Sequence, residues 1–317
     1  MGNHHQLRFR ADETFTVVQF TDIHWTTGGD ADLKSRTLMQ SIIEAEQPDL
    51  IILTGDLISA AACDDPLRAV RDVVSVVEGS RVPWAVVLGN HDSEANVSRE
   101  ALMDALIEHE CCVAGRSASG VTGVGNYYLA VLDAHRAPAA VLYFLDAGNE
   151  SPLAQVGGYD WIRLDQIQWY VAQSRAITTR NDDRSVPALA FFHIPLPEYR
   201  DVWNESVCYG HKFEDVCCPR LNSGLFTAMV EMGDVVGTFV GHDHVNDYWG
   251  MHHGIRLCYG RATGYNTYGR EGFPRGARII QLRRGTRRFT SWLRLDAGSV
   301  VREQPAHQPT GQNAIVS

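Results

Sequence analysis

The sequence predicts an α/β protein built around a parallel sheet, on three observations. Short apolar runs alternate with helical patterns from residue 15 to residue 108, in the order β-α-β-α-β, which calls for a parallel sheet with crossover helices. Five apolar runs end abruptly in clusters of Asp, His, Asn and Gly. Neither a repeat nor a linker interrupts the 317 residues, so one domain is expected although about 150 residues per domain is the usual prior. The expected boundaries are an N-terminal extension over 1–14, one domain over 15–296 and a flexible polar tail over 297–317.

The elements follow in order. FTVVQF (15–20) is a strand ending in TDIH. Residues 32–46 carry Leu33, Leu38, Ile42 and Ile43 at helical spacing, and Pro48 stops that helix. LIIL (50–53) is a strand ending in TGD, 66–77 a helix, WAVVL (84–88) a strand ending in GNHD, and 98–108 a helix. The second half is mixed. NYYLAVL (126–132) and AAVLYFLD (139–146) read as antiparallel strands, 162–177 as a helix, and ALAFF (188–192) as a strand ending in HIP. After a helix near 224–232, GTFV (237–240) runs into GHDH, and three more strands follow in IRLCYG, ARIIQL and RFTSWLRL.

Composition narrows the function. With 38 acidic and 28 basic residues the net charge is −10, which argues against a non-specific nucleic-acid binder. No run of about 18 apolar residues occurs, so no membrane span is expected. The start MGNHHQLRFRADETF shows no apolar signal segment, His4 and His5 read as a solvated tail, and the seven cysteines do not form a disulfide pattern. A reduced, cytoplasmic protein is the expectation, with no obligate protein partner.

The strand ends carry the chemistry. Asp22-Ile-His24, Gly55-Asp56, Gly89-Asn90-His91-Asp92, His193 and Gly241-His242-Asp243-His244 all lie at carboxyl ends of strands, where open α/β sheets bind ligands. Asp carboxylates, neutral His nitrogens and an Asn carbonyl suit Zn, Mn or Fe. A carboxylate such as Asp56 can bridge two ions, and two ions about 4 Å apart can clamp a phosphoryl group. His91, beside a proposed ligand, is placed to protonate a leaving oxygen. Singly, Asp22 reads as a helix cap, Asp56 as a turn residue and His193 as a core histidine; together and in order they do not.

At these residues the sequence resembles the calcineurin-like metallophosphoesterase superfamily, whose pattern D-x-H, G-D, G-N-H-[DE], H and G-H-x-H appears complete over residues 15 to 295. Longer runs, VPWAVVLGNHD, LYFLDAG, LAFFHIPLPEY, NSGLF and FVGHDHVNDY, resemble small purple-acid-phosphatase-like proteins of plants and fungi and their bacterial relatives. The resemblance implies a four-layer α/β/β/α sandwich of two mixed sheets flanked by helices, the metallophosphoesterase fold. It implies two metal ions per chain (manganese, iron or zinc), one held by Asp22, His24, Asp56 and His244, the other by Asp56, Asn90, His193 and His242. A metal-bridging hydroxide would attack the phosphorus of a small phosphomonoester, with His91 as general acid and Asp92 orienting it. The alternatives are a phosphodiesterase on the same site and, more remotely, a non-catalytic metal-binding scaffold. True purple acid phosphatases place a tyrosine three residues after the bridging Asp; here that residue is Ser59, so no purple colour is expected.

Weaker candidates surround this set. His211, Arg261 and Arg270 are candidate substrate contacts, against the plainer reading of solvated or salt-bridged side chains. Cys208, His211, Cys217 and Cys218 fit no common zinc spacing, and their loop is expected to form a pocket rim. Trp25 is expected either to line the pocket or to pack in the core.

Overall fold

The computed structural model describes residues 6–94 and 96–309. Strands β1 (Thr14–Phe20), β2 (Leu50–Thr54) and β3 (Trp84–Val87) run parallel, linked by helices α1 (Asp30–Glu46) and α2 (Pro66–Gly79). Helix α3 (Arg99–Ile107) follows, then the antiparallel pair β4 (Tyr127–Leu132) and β5 (Pro138–Phe144). Next come α4 (Leu164–Arg180), β6 (Ala188–Phe191), α5 (Glu198–Glu205), β7 (Cys208–Tyr209), α6 (Leu225–Met232) and β8 (Val235–Val240). The chain ends with β9 (Trp249–His252), β10 (Ile255–Tyr259), β11 (Gly276–Arg283), β12 (Phe289–Leu295), β13 (Val300–Val301) and β14 (Ala306–His307).

Two mixed sheets result. One has six strands in the order β13-β12-β11-β1-β2-β3, and the other has eight in the order β14-β7-β9-β10-β8-β6-β5-β4. Strand alternation sends Val18 and Phe20 to one face of β1 and Phe15 and Val17 to the other. On the first face they meet Leu38, Met39 and Ile42 of α1, Val70, Val73 and Val77 of α2, and Leu102 and Leu106 of α3. On the second face they meet the other sheet, with Leu142, Phe191 and Phe239. Helices α4, α5 and α6 cover the far side with Tyr170, Tyr199 and Met229. The layers are therefore α/β/β/α, as expected. Inter-sheet packing is dense: Phe191 is fully buried with ring centroids of Phe144 and Phe239 at 5.4 and 5.2 Å. Truncating such a residue to Ala costs about 3–5 kcal/mol.

Local signals set the helix ends. Asp65 accepts from the Arg68 amide at 3.0 Å and Pro66 occupies the first turn, so α2 starts with a cap and a preset φ. Gln47 ends α1 in the left-handed region at φ 43°, just before Pro48.

The polar tail departs from expectation. Val300 and Val301 pair with Arg294 and Leu293 of β12, and Ala306 and His307 pair with Tyr209 and Cys208 of β7. The His307 ring stacks on Trp203 at 3.8 Å and 6°. Two sheet edges and a half-buried indole give a polar segment something to bind, which composition does not reveal. The N-terminal extension is also engaged from Leu7, which is buried, through the amide of Phe9, which donates to the Leu132 carbonyl at 3.0 Å. His4, His5 and residues 310–317 lie outside the described residues. Among the described residues no helix is long and apolar enough to cross a membrane.

Candidate metal centre

All five sequence blocks meet beyond the carboxyl ends of β1, β2, β3, β6 and β8. The backbone curls sharply there: Asp22, His24, Asp56 and His242 have φ of 53°, 52°, 50° and 77°, a left-handed conformation that costs non-glycine residues energy. Neighbouring loops hold the curl in place. The amides of Ile23 and His24 both donate to the Asp56 carbonyl, at 2.8 and 2.9 Å. The His242 amide donates to Asp22 Oδ1 at 2.9 Å, and the His91 amide to Asp56 Oδ1 at 2.8 Å. Gly89 is required by this crowding, because a Cβ there would collide with Asp56 Oδ1.

Two groups of donor side chains form. The ligand atoms of Asp22, His24, Asp56 and His244 lie within 4.8 Å of one another, as do those of Asp56, His193 and His242. Asp56 belongs to both. All six are buried, and so is Asn90. Asp56 Oδ2, Asn90 Oδ1, His193 Nε2 and His242 Nε2 are buried without a hydrogen-bond partner among the described residues. Asp56 Oδ2 and His193 Nε2 are 3.0 Å apart yet lack hydrogen-bond geometry. Each such atom costs about 1–3 kcal/mol unless something else satisfies it. A cation bound there would do so for all four, and oxygen and imidazole donors are of the type that Mn, Fe or Zn takes. Those four atoms fit one cation; the other group, with the Nε2 atoms of His24 and His244 3.1 Å apart beside Asp22 and Asp56, offers donors of the same kind for a second.

The histidines are oriented from behind. Nδ1 of His24 lies 2.9 Å from Ser59 Oγ, Nδ1 of His193 2.8 Å from the Thr54 carbonyl, and Nδ1 of His244 2.7 Å from Thr267 Oγ1. His193 must donate through Nδ1, so its neutral form leaves the Nε2 lone pair facing Asp56. Burial lowers His24 to about 4, His242 to about 3 and His244 to about 2, which keeps these three imidazoles neutral. Burial, reinforced by the Asp56 carboxylate, pushes Asp22 up to about 7. Burial opposes charge on His193 as well, but Asp56 and Asp22 outweigh it and raise His193 to about 9.

His91 faces the two groups from the open side, its ring 5.2 Å from that of His24 and 40% exposed. Asp92 does not orient it. The Asp92 oxygens accept from the Ile58 and Gly89 amides at 2.9 and 2.7 Å, tying the GNHD turn to the loop after β2. Glu94 holds His91 instead, with Oε1 2.8 Å from Nδ1. Arg99 supports the same turn, donating to the Gly89 carbonyl at 2.7 Å and pairing with Asp146. Two aromatic rings wall the opening. Tyr159 meets His242 edge-on at 4.4 Å, and Tyr268 stacks on His244 at 4.2 Å while donating to Glu214. A bare tyrosine or glutamate in a loop gives the sequence no signal for such a role.

The weaker candidates lie outside both groups. Arg261 is buried, pairs with Asp247 at 2.5 Å and lies over Phe273, so it serves the fold rather than an incoming anion. His211 stands 3.4 Å from the same Asp247, and Arg270 covers the Phe213 ring at 4.2 Å. Cys208 is buried against the Val202 carbonyl and Cys217 faces the Asp215 carbonyl, and neither enters a donor group. Trp25 packs in the core.

Comparison with known proteins agrees with this geometry. The calcineurin-like phosphoesterase family model matches residues 15–246. The chain is 32% identical to probable inactive purple acid phosphatase 29 of Arabidopsis thaliana, covering 90% of this chain and 81% of that one. It is 30% identical to phosphatase DCR2 of Saccharomyces cerevisiae, over 89% of this chain and 54% of that one. Among solved structures, a dimetal phosphatase from Danio rerio superposes with a TM-score of 0.56 at 14% identity, covering 87% of this chain and 98% of that one. A purple acid phosphatase from yellow lupin seeds gives 0.54 at 12% identity, over 92% of this chain and 53% of that one. With the paired donor groups at the strand ends, the sandwich around them and a family match over most of its length, this chain belongs to the calcineurin-like phosphoesterase family.

Proposed function

We propose that the chain is a binuclear metal-dependent phosphoesterase acting on a small phosphomonoester. The observation that carries this is the set of four unpartnered buried donor atoms around Asp56, which belongs to both donor groups. One cation would be held by Asp22, His24, Asp56 and His244, the other by Asp56, Asn90, His193 and His242. Bound there, a cation pair supplies positive charge for a phosphoryl group and lowers the pKa of a water nucleophile.

The protein's own groups do the rest. Asp56 Oδ1 accepts the His91 amide and so fixes that residue's distance from the centre. Glu94 holds His91 Nδ1, leaving Nε2 to carry a proton to the leaving oxygen. Tyr159 and Tyr268 narrow the approach and limit water. The names of the relatives, purple acid phosphatase and phosphatase, favour monoesters over diesters. The plant relatives are also called probable inactive, but this chain keeps every donor and His91. Seven free cysteines fit a reducing, cytoplasmic setting.

The test is metal content together with chelator-sensitive hydrolysis of p-nitrophenyl phosphate and bis(p-nitrophenyl) phosphate. About two ions per chain and faster monoester cleavage are expected. Faster diester cleavage would establish the phosphodiesterase alternative. Two bound ions with no turnover on either ester would leave a scaffold.

A further inference from the structure

A cleft lies away from the donor groups, towards the start of β8. About 530 Å³ in volume, it opens between β8 to β10 of the eight-stranded sheet and the start of β12 in the six-stranded one. Its floor is Val236, Trp249 and Phe289, and its rim holds Met251, Arg287 and Arg288. Val236 is the second residue of the strand whose far end, Val240, leads into the donor histidines, so the cleft lies roughly 13 Å down the strand from Val240 and further from the histidines beyond it.

Arg256 lines this cleft. Its guanidinium sits 3.5 Å from the Trp249 ring centroid and 5.1 Å from that of Phe289. Its Nε is buried and unpartnered, and among the described residues no carboxylate lies within 4.0 Å to form an ion pair. No lining residue is acidic, while three are arginine, in a chain whose net charge is −10. With Nε buried and the rings beside the guanidinium, its two terminal NH2 groups, which no described residue accepts from, form the edge left for recognition, and that planar pair matches a carboxylate or phosphate. The apolar floor suits a flat hydrocarbon body, and the volume is that of a small-molecule pocket, about 300–1,000 Å³.

We propose that this cleft binds a small organic anion, a flat apolar body carrying a carboxylate or phosphate, with Arg256 as the anion contact. The site is independent of the phosphoesterase chemistry. Naphthalene-2-carboxylate is the probe, titrated calorimetrically into metal-loaded protein, with 2-naphthol and inorganic phosphate as controls. The carboxylate is expected to bind, and each control, lacking one half of the recognised structure, to bind at least roughly tenfold more weakly. Arg256→Met is expected to weaken the carboxylate at least roughly tenfold while leaving p-nitrophenyl phosphate turnover unchanged. Met251→Glu, a substitution at a 47% exposed rim position, tests the same charge preference without disturbing the interior and should also weaken binding. The proposal is overturned by equal binding to both variants and the parent, by 2-naphthol binding as tightly, or by displacement of the probe with equimolar phosphate.

Discussion

Ser59 Oγ and His24 Nδ1 lie 2.9 Å apart, so the serine holds the back of a histidine whose other ring nitrogen belongs to a donor group. Ser59 stands three residues after Asp56, where purple acid phosphatases carry a tyrosine ligand. Here the short side chain reaches the back of a histidine instead of an ion. Ser59→Ala should weaken the cation held by Asp22, His24 and His244 roughly ten- to a hundredfold, because it frees the ring to rotate. Chelator competition on the two ions separately would check this; loss of both ions equally would contradict it.

The same contact predicts colour. Tyr159 and Tyr268 approach His242 and His244 through their rings, and burial raises both phenols, Tyr159 to about 12. The Tyr268 hydroxyl is committed to Glu214 at 2.7 Å, and Tyr159 meets His242 ring to ring in a T-shaped contact. Protein reconstituted with ferric ion should therefore lack a visible tyrosinate band, and an absorption spectrum settles the matter.

His91 and Glu94 should separate in their effects. His91→Ala should lower kcat about 10²- to 10⁴-fold with both ions retained, and least for aryl esters whose leaving groups need no proton. Glu94→Gln keeps a hydrogen-bond partner 2.8 Å from Nδ1 but weakens its hold, so a smaller loss with the same leaving-group dependence is expected. A Glu94→Gln loss that is uniform across leaving groups would mean that Glu94 supports the loop rather than His91.

Much of this site was legible because strand periodicity and ligand chemistry coincide. An apolar run that stops at Gly or Asp marks both a strand end and a candidate donor, so Asp22, Asp56 and His242, which the fold gathers into the donor groups, are legible in the sequence. What escaped depends on contacts between distant segments. Glu94 is an ordinary loop carboxylate until the GNHD turn folds it back, and Asp92 looks suited to His91 until two amides claim it. Arg261 is a free cation in sequence, but Asp247 neutralises it in the fold. Short elements such as α5 and β7 carry too few residues to show a period, so the edge that receives the C-terminal segment was invisible as well.

That segment gives a stability prediction. His307→Ala removes a stack on Trp203 and a contact of Nε2 with the Trp203 carbonyl at 3.0 Å. A loss of about 1 kcal/mol is expected in denaturant unfolding, with kcat and metal content unchanged. An unaltered midpoint would mean that β14 contributes nothing to the global fold.

Metal removal couples the centre to pH. With the ions stripped, Asp22 near 7 and His193 near 9 each retain a proton below those values, and cation binding must displace them. Both groups hold protons more tightly in the ion-free fold than in an unfolded chain, so metal affinity, not metal-free stability, gains from rising pH. Affinity should climb most steeply below pH 7, where two protons are released, less steeply from 7 to 9, and then level off. At a hundredfold excess over its dissociation constant each ion adds about 2.7 kcal/mol to folding. Chelation at pH 8 should therefore lower Tm by several degrees or more, and by less at pH 6, where protons already occupy the donors. A chelator effect that grows as pH falls would place the bound cations elsewhere than on Asp22 and His193.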